Sequence, residues 1–225
     1  MQKDIIYMLA TYLLSLQSDI NAETNNIANQ SAIGGKSAHS RTQVVMDNGK
    51  HRIMRGGILS SMTQGEPIST DNPMNIMISG EGVMLLHGGV MTRDGRLSLN
   101  KDRVLSQGNL AISDENEQQI VVPRGAVMKI SSDGNVIAII NGGEQSCGRI
   151  RLFLLPADAI KVGPSMWYSK SPPLEDEKST IIQGCLEQSN VDTTEASAKI
   201  VDSQTNHQET IALLTGILTN PGYNT

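Results

Sequence analysis

Aromatic side chains are the scarcest feature of this sequence. Its 225 residues include one Phe, one Trp and four Tyr, and the aromatic fraction is 3%. The whole hydrophobic fraction is 38%, which is lean for a tightly cored enzyme of this length. A glycan-binding β-module or a hydrolase built on one needs concentrated aromatic and carboxylate side chains, and the sequence shows no such cluster. We therefore expect a modest core and disfavour that class.

Blocks of like charge, long apolar runs and cysteine clusters are also lacking. The net charge of −5 is spread along the chain, whereas nucleic-acid-binding surfaces normally show clustered Lys and Arg. We therefore expect no nucleic-acid partner. No apolar run approaches the eighteen residues that a membrane-spanning helix needs, so we expect no membrane insertion. Two cysteines, Cys147 and Cys185, carry little information in a chain of this length, and we expect reduced thiols.

Residues that could perform chemistry are scattered. The four histidines form no i, i+4 pair and have no cysteine at ligand spacing; they are His39, His51, His87 and His207. The acidic run 175–177 is typical of a solvated surface, and no Ser, Cys or Thr lies in a nucleophile elbow. Gly80-Glu81-Gly82 lacks the third glycine and the following helix of a nucleotide-binding loop, so it indicates a turn between strands. We predict neither enzymatic activity nor a cofactor.

The opening MQKDIIYMLATYLLSL has the look of a secretory signal, because Lys3 precedes an apolar run. Three features favour an uncleaved helix instead. Asp4 lies in what would be the basic region, the heptad pattern continues to Ile27, and no small-residue cleavage site follows.

The C-terminal segment, Gln183 to Leu218, predicts a helix. Asn190 or Asp192 can act as the N-cap, and Glu195 suits the first turn, so the helix should begin near Thr193. A heptad seam follows, in which apolar or semi-polar residues are spaced by alternating steps of four and three: Ile200, Gln204, His207, Ile211, Leu214 and Leu218.

The N-terminal segment shows a matching seam, with one polar interruption: Ile6, Leu9, Leu13, Leu16, Ile20, Glu23 and Ile27. A seam this narrow needs another helix, either the other end of the chain or a neighbouring subunit. Burying the apolar residues of two such seams gains less free energy than ordering both helices costs in conformational entropy. We therefore predict that both termini are mobile in an isolated monomer and become ordered when subunits assemble.

The middle of the chain predicts strands. Residues 37–75 are polar and punctuated by Gly, and either an ordered extension or a flexible arm fits them. Short apolar runs separated by Asp-Gly and Asn-Gly turn signals follow, which predicts a β-domain over 76–168. Trp167 is expected to be a packing anchor at its exit, and 169–182 has the composition of a polar linker. The expected fold is α+β: a helix over 1–36 pairs in a coiled-coil-like manner with a helix over 183–225, around a mainly β centre.

Two motifs near opposite ends of the chain resemble a known family. NNIAN at Asn25–Asn29 precedes Gly34-Gly35-Lys36, and GCLEQSNV at Gly184–Val191 precedes the C-terminal helix. Between them, MTRDG at Met91–Gly95 and the Asp133-Gly134 hairpin fit the same pattern. In this order the motifs resemble those of the axial proteins of the bacterial flagellum, the rod and hook family. The family's usual Phe after the first Gly is replaced by Gly35.

The resemblance implies a structural subunit of the basal-body rod that polymerises helically and transmits torque from motor to hook. It implies other rod proteins and copies of the same chain as partners, export through the flagellar type III apparatus without a cleaved signal, and a periplasmic location in the rod. A distal rod or hook-type axial protein is the alternative within the family. The expected assembly interface combines the helical seams with motif residues Asn26, Asn29, Leu186, Ser189, Asn190 and Val191.

Overall fold

The computed structural model describes residues 2–47, 50–114 and 118–219. Within those ranges two long helices, one near each end of the sequence, flank eighteen short strands, which confirms the α+β class. The chain forms two compact units. The helical unit draws on the ranges 1–30, 37–61 and 191–225, and the β unit on 31–36 and 62–190.

Helix α1 (Gln2–Ala28) places its predicted seam on the less exposed side. Leu16 and Glu23 are buried, and the other five seam residues are partly buried. Apolar residues off the seam, such as Tyr7 and Leu14, are more than half exposed. The heptad pattern therefore identified the inward face of this helix correctly.

Helix α2 (Thr193–Thr219) begins at the predicted residue. One carboxylate oxygen of Asp192 accepts hydrogen bonds from the backbone nitrogens of Thr194 at 2.8 Å and Glu195 at 3.0 Å. Asp192 is thus the N-cap, because it satisfies two amide groups that have no partner within the helix. The second candidate, Asn190, lies outside the helix and has other partners.

The inward face of α2, which contacts α1, differs from the predicted seam. Ile200, His207 and Leu214 lie on it as expected, but Gln204, Ile211 and Leu218 are exposed. The less exposed positions between them carry smaller or aliphatic residues instead: Ala196, Ser203, Thr210 and Ile217. Ala, Ser and Thr permit a close approach of two helices, so the side that faces α1 combines small residues with aliphatic ones. The predicted register was wrong at one of the two seam positions in each heptad.

An antiparallel hairpin completes the helical unit. It consists of β1 (Ala38–Asp47) and β2 (Lys50–Ser60), with an irregularity between Ser40 and Thr42, and both strands contact α1. The sequence left open whether this stretch is an extension or a flexible arm; the structure forms paired strands in it.

The β unit contains sixteen short strands. In chain order they are β3 (Pro67–Ser69), β4 (Ile76–Ser79), β5 (Val83–Leu86), β6 (Val90–Thr92), β7 (Leu97–Leu99), β8 (Leu105–Gln107), β9 (Leu110–Ala111), β10 (Val127–Ile130), β11 (Asn135–Ile140), β12 (Gly143–Arg149), β13 (Leu152–Leu154), β14 (Ile160–Gly163), β15 (Met166–Tyr168), β16 (Leu174–Glu175), β17 (Thr180–Gln183) and β18 (Cys185–Glu187). A six-stranded sheet has the order β14-β15-β6-β5-β13-β16, and three-stranded sheets have the orders β10-β11-β12 and β7-β8-β9. Strands β17 and β18 pair with β4 and β3.

Two apolar clusters fill the β unit. The larger one includes Met84, Leu86 and Leu105, all nearly inaccessible, and gathers side chains from all the larger sheets. The smaller one surrounds Trp167, which is 1% exposed and packs with Val83, Met91 and Phe153. Trp167 is therefore a packing anchor, as predicted. Gly80–Gly82 joins β4 to β5, which confirms a turn between strands.

The stretch 169–182, predicted to be a linker, belongs to the β unit. Strand β16 pairs with β13, and β17 pairs with β4 along its whole length. The polar residues that suggested a linker lie mostly between these two strands, in the stretch 175–180, which is largely exposed. The C-terminal segment likewise begins with strands, since β17 and β18 precede α2. None of the described helices is both long and apolar enough to cross a membrane.

Candidate functional site: the helix pair and a buried ionic clamp

The two end motifs meet inside the β unit. The Gly34 nitrogen donates to the Glu187 carbonyl at 2.8 Å, and the Asn190 nitrogen donates to the Gly35 carbonyl at 3.2 Å. Gly34 has a φ of 62°, and a Cβ there would lie 2.3 Å from the Arg93 carbonyl oxygen. Only glycine fits a left-handed position with such close backbone contact. The segments leading to the two helices therefore run side by side.

Glu187 is the centre of a buried ionic cluster. One of its oxygens accepts from the Lys36 amine at 2.6 Å and from the Gly65 nitrogen at 2.8 Å, and the other accepts from Arg93 Nε at 2.8 Å. All three charged side chains are at most 1% exposed. We call Lys36, Arg93 and Glu187 the ionic clamp. It joins three segments that are remote in sequence.

Backbone carbonyls satisfy the remaining donors of the clamp. Arg93 also donates to the carbonyls of Ile78 at 2.8 Å, Gly80 at 2.8 Å and Gly82 at 2.7 Å. The Lys36 amine donates to the Thr63 carbonyl at 2.6 Å. Two cations and one carboxylate are thus removed from water, a costly arrangement that is tolerable only because each group is hydrogen-bonded.

The electrostatics of the clamp reflect its excess of cations. Burial lowers the pKa of Lys36, the positive charge of Arg93 lowers it further, and Glu187 opposes both effects. Nearby, the Lys161 amine donates to the Lys36 carbonyl, and burial lowers the pKa of Lys161 to about 8. Placing several buried cations around a single carboxylate therefore costs free energy.

Asn26 of the first motif has a separate role in the helical unit. Its amide pairs with Ala38 in both directions, with the side-chain nitrogen 2.9 Å from the Ala38 carbonyl and the Ala38 nitrogen 2.8 Å from the side-chain oxygen. It also donates to Glu23 at 2.9 Å, and Glu23 contacts His39 Nδ1 at 2.9 Å. Asn26 thereby fastens the start of β1 to the end of α1.

The other motif residues lie around these two sites. Leu186 is buried opposite Ile68, and the Asn190 side chain donates to the Thr63 carbonyl and hydroxyl at 2.9 and 2.8 Å. Asn29 bonds back to the Asn25 carbonyl, and Ser189 and Val191 are half-buried. The predicted interface residues thus divide between the helical unit and the β unit.

The clamp was not predicted from the sequence. Lys36 follows the first motif, Glu187 lies inside the second, and Arg93 lies inside MTRDG. The signal that could have found them is opposite charge in separate motifs, because Glu187 is the single charged residue of GCLEQSNV and Lys36 and Arg93 are cations. Among the described residues, no group of three His, Cys, Asp or Glu side chains is placed to hold a metal ion.

The helices expose much of their apolar surface. Of the large aliphatic side chains that α1 and α2 carry within the described part of the chain, Leu16 alone is buried. More than 40% of the side-chain surface remains exposed at several others: Ile5, Tyr7, Leu14, Val201, Ile211, Leu213 and Leu218. This unit therefore has a thin core and apolar outer faces.

The chain thus combines two terminal helices that contact each other in one unit with motifs from both ends that meet in a β unit. Comparisons give the more particular result. No protein-family profile matches the chain. It is 24% identical over 226 residues to the flagellar basal-body rod protein FlgF of Mesorhizobium japonicum, covering 94% of this chain and 92% of the relative. It is 25% identical over 235 residues to the flagellar basal-body rod protein FlgG of Caulobacter vibrioides, covering 87% and 88%. The chain is therefore similar, over nearly its whole length, to flagellar basal-body rod proteins of the FlgF and FlgG types.

Proposed function

We propose that this chain is a structural subunit of the flagellar basal-body rod, which polymerises helically into the shaft that transmits torque from motor to hook. The full-length similarity to two rod proteins supports this role. The architecture agrees with it, because the described residues offer apolar helix faces and a rigid buried clamp as their most distinctive features.

The observation that carries the proposal is the thin core of the helical unit. Exposed apolar residues recur at heptad spacing on α2, at Ile211 and Leu218, and on α1, at Tyr7 and Leu14. A monomer gains nothing from keeping such stripes in water, whereas neighbouring helices in a polymer would cover them. The exposed members of the predicted seam are thus candidates for contacts between subunits, in a coiled-coil-like tube.

The clamp suits a protein that carries mechanical load. Both segments that it joins continue directly along the chain into the helices, at Ser31–Lys36 on one side and Gly184–Asn190 on the other. A buried ion cluster with short hydrogen bonds specifies one geometry there. It would keep these two segments fixed against each other while the rod turns.

The proposed partners are other rod subunits, proximal and distal, and further copies of this chain. Such contacts are heterologous and do not close, so they generate a helical polymer. Export would use the flagellar type III apparatus without a cleaved signal, and the assembled protein would lie in the periplasmic rod. A distal-rod role is the second candidate, favoured by the similarity to FlgG.

Sedimentation of the full chain mixed with rod proteins from the same cell tests the proposal. Wild type should pellet with them. Ile211→Glu with Leu218→Glu should reduce pelleting at least about tenfold, because burying a lone carboxylate in an apolar contact is costly. Gln208→Glu, an exposed change on the same helix, is the matched control and should pellet normally. Equal pelleting of all three would contradict the proposed helix contacts.

A further inference from the structure

Among the strands that the structure describes, β14 and β16 form the two edges of the six-stranded sheet of the β unit. Every neighbouring pair in this sheet is antiparallel. Because an even number of strands alternates in direction, the two edge strands run in opposite directions. If one copy were placed beside another in the same orientation, β14 of the first would meet β16 of the second in the antiparallel arrangement that the sheet already uses.

Both edges present apolar pairs on the same face of the sheet. At one edge Ile160 lies opposite Tyr168, and at the other Leu154 lies opposite Leu174. The register places them on one face, because directly opposed residues share a face and alternate residues along a strand share it too. The connecting path is Tyr168, Val90, Leu86, Met84, Leu152 and Leu154.

The centre of this face is covered and its ends are not. Met84, Leu86 and Leu152 belong to the larger apolar cluster. Ile160 is 66% exposed, Tyr168 41%, Leu154 40% and Leu174 73%. Apolar exposure is thus concentrated at both ends of a face that is otherwise buried.

The charged residues of the two edge strands do not protect the edges. Lys161 of β14 turns to donate to the Lys36 carbonyl, and Glu175 of β16 is held by Arg151 at 2.7 and 3.1 Å. Edge strands in monomeric proteins usually carry outward charges that prevent pairing. Here each edge offers open backbone groups beside exposed apolar side chains.

We propose that the β units of successive copies of this chain join head to tail, with β14 of one copy paired to β16 of the next. The inference rests on the proposed function, since it supplies a second contact for the same polymer. The contact is heterologous and open, so it propagates and does not stop at a dimer. It buries the Ile160–Tyr168 pair of one copy against the Leu154–Leu174 pair of the other.

Cysteine cross-linking in the full chain tests this contact. With Cys147→Ser and Cys185→Ser as the background, one protein carries Ile160→Cys and another carries Leu174→Cys. Opposed or diagonal positions on paired strands are within about 8 Å, so a short bismaleimide should link them. We expect a heterodimer in the mixture and little product from either protein alone. A protein with both cysteines should give a ladder of higher oligomers.

Val127→Cys, paired with Leu174→Cys, is the matched control, because Val127 is 65% exposed on a different sheet. Its cross-linking should be at least about tenfold weaker. If wild type pellets with rod proteins but the 160–174 product is absent, or equals the control, the edge contact is overturned and the proposed function survives. If wild type does not pellet at all, the proposed function fails and this inference fails with it.

Discussion

At the residue scale the protein depends on Glu187, the single carboxylate between two buried cations. Glu187→Gln leaves Lys36 and Arg93 without an anion while keeping the shape of the side chain. Removing one partner of a buried ion pair costs about 3–5 kcal/mol, so urea unfolding should show a loss of that size. Glu177→Gln, an exposed control, should change the free energy of unfolding by less than about 0.5 kcal/mol. A loss below about 1 kcal/mol for Glu187→Gln would contradict the clamp.

Lys161 predicts a pH dependence at the same scale. Its folded pKa is about 8 against an ordinary 10.5, so between those pH values the unfolded chain binds more protons than the folded one. The free energy of unfolding gains a contribution that rises with pH in that window. Lys161→Met should remove this rise, whereas Lys170→Met, at an exposed lysine, should retain it. Urea unfolding at pH 7.5, 8.5 and 9.5 makes the comparison, and identical pH profiles for the two variants would contradict the prediction.

At the scale of the elements, the register of α2 is the feature to test. Ser203 lies on the inward face and Gln204 is exposed. In the assembled protein, Ser203→Leu should lower the free energy of opening of α2 by about 1–3 kcal/mol, because it forces a large side chain between closely approaching helices. Gln204→Leu should leave that free energy nearly unchanged. Hydrogen exchange of α2 in a mixture with rod proteins measures both changes, and the reverse order would restore the register that the apolar pattern predicted.

The helices show how far local sequence rules reach. Capping chemistry placed the start of α2 at Thr193, and the apolar spacing of α1 identified its inward face, because both depend on residues within a few turns. The inward face of α2 is selected by the small residues Ser203 and Thr210, which an apolar pattern does not detect. Likewise β16 is a short edge strand, and β17 belongs to a two-stranded sheet. Their apolar and polar residues alternate over too few positions to be distinguished from a polar linker.

At the scale of the whole molecule, the motifs predicted the similarity to flagellar rod proteins but not the clamp. Lys36 and Glu187 are separated by most of the chain, and only the fold brings them to 2.6 Å. Neither hydrophobic periodicity nor secondary-structure propensity encodes such a long-range contact. The resemblance in NNIAN and GCLEQSNV was informative because GCLEQSNV contains Glu187 and NNIAN closely precedes the segment that carries Lys36.

We propose that α1 and α2 become ordered through assembly, and hydrogen exchange tests this most directly. The full chain is measured as a dilute monomer and again after mixing with rod proteins from the same cell. We predict that α1 (Gln2–Ala28) and α2 (Thr193–Thr219) exchange freely in the monomer and become protected in the mixture, while β5 in the core is protected in both. Full protection of both helices in the dilute monomer would contradict assembly-coupled folding and badly weaken the assignment of a polymerising rod subunit.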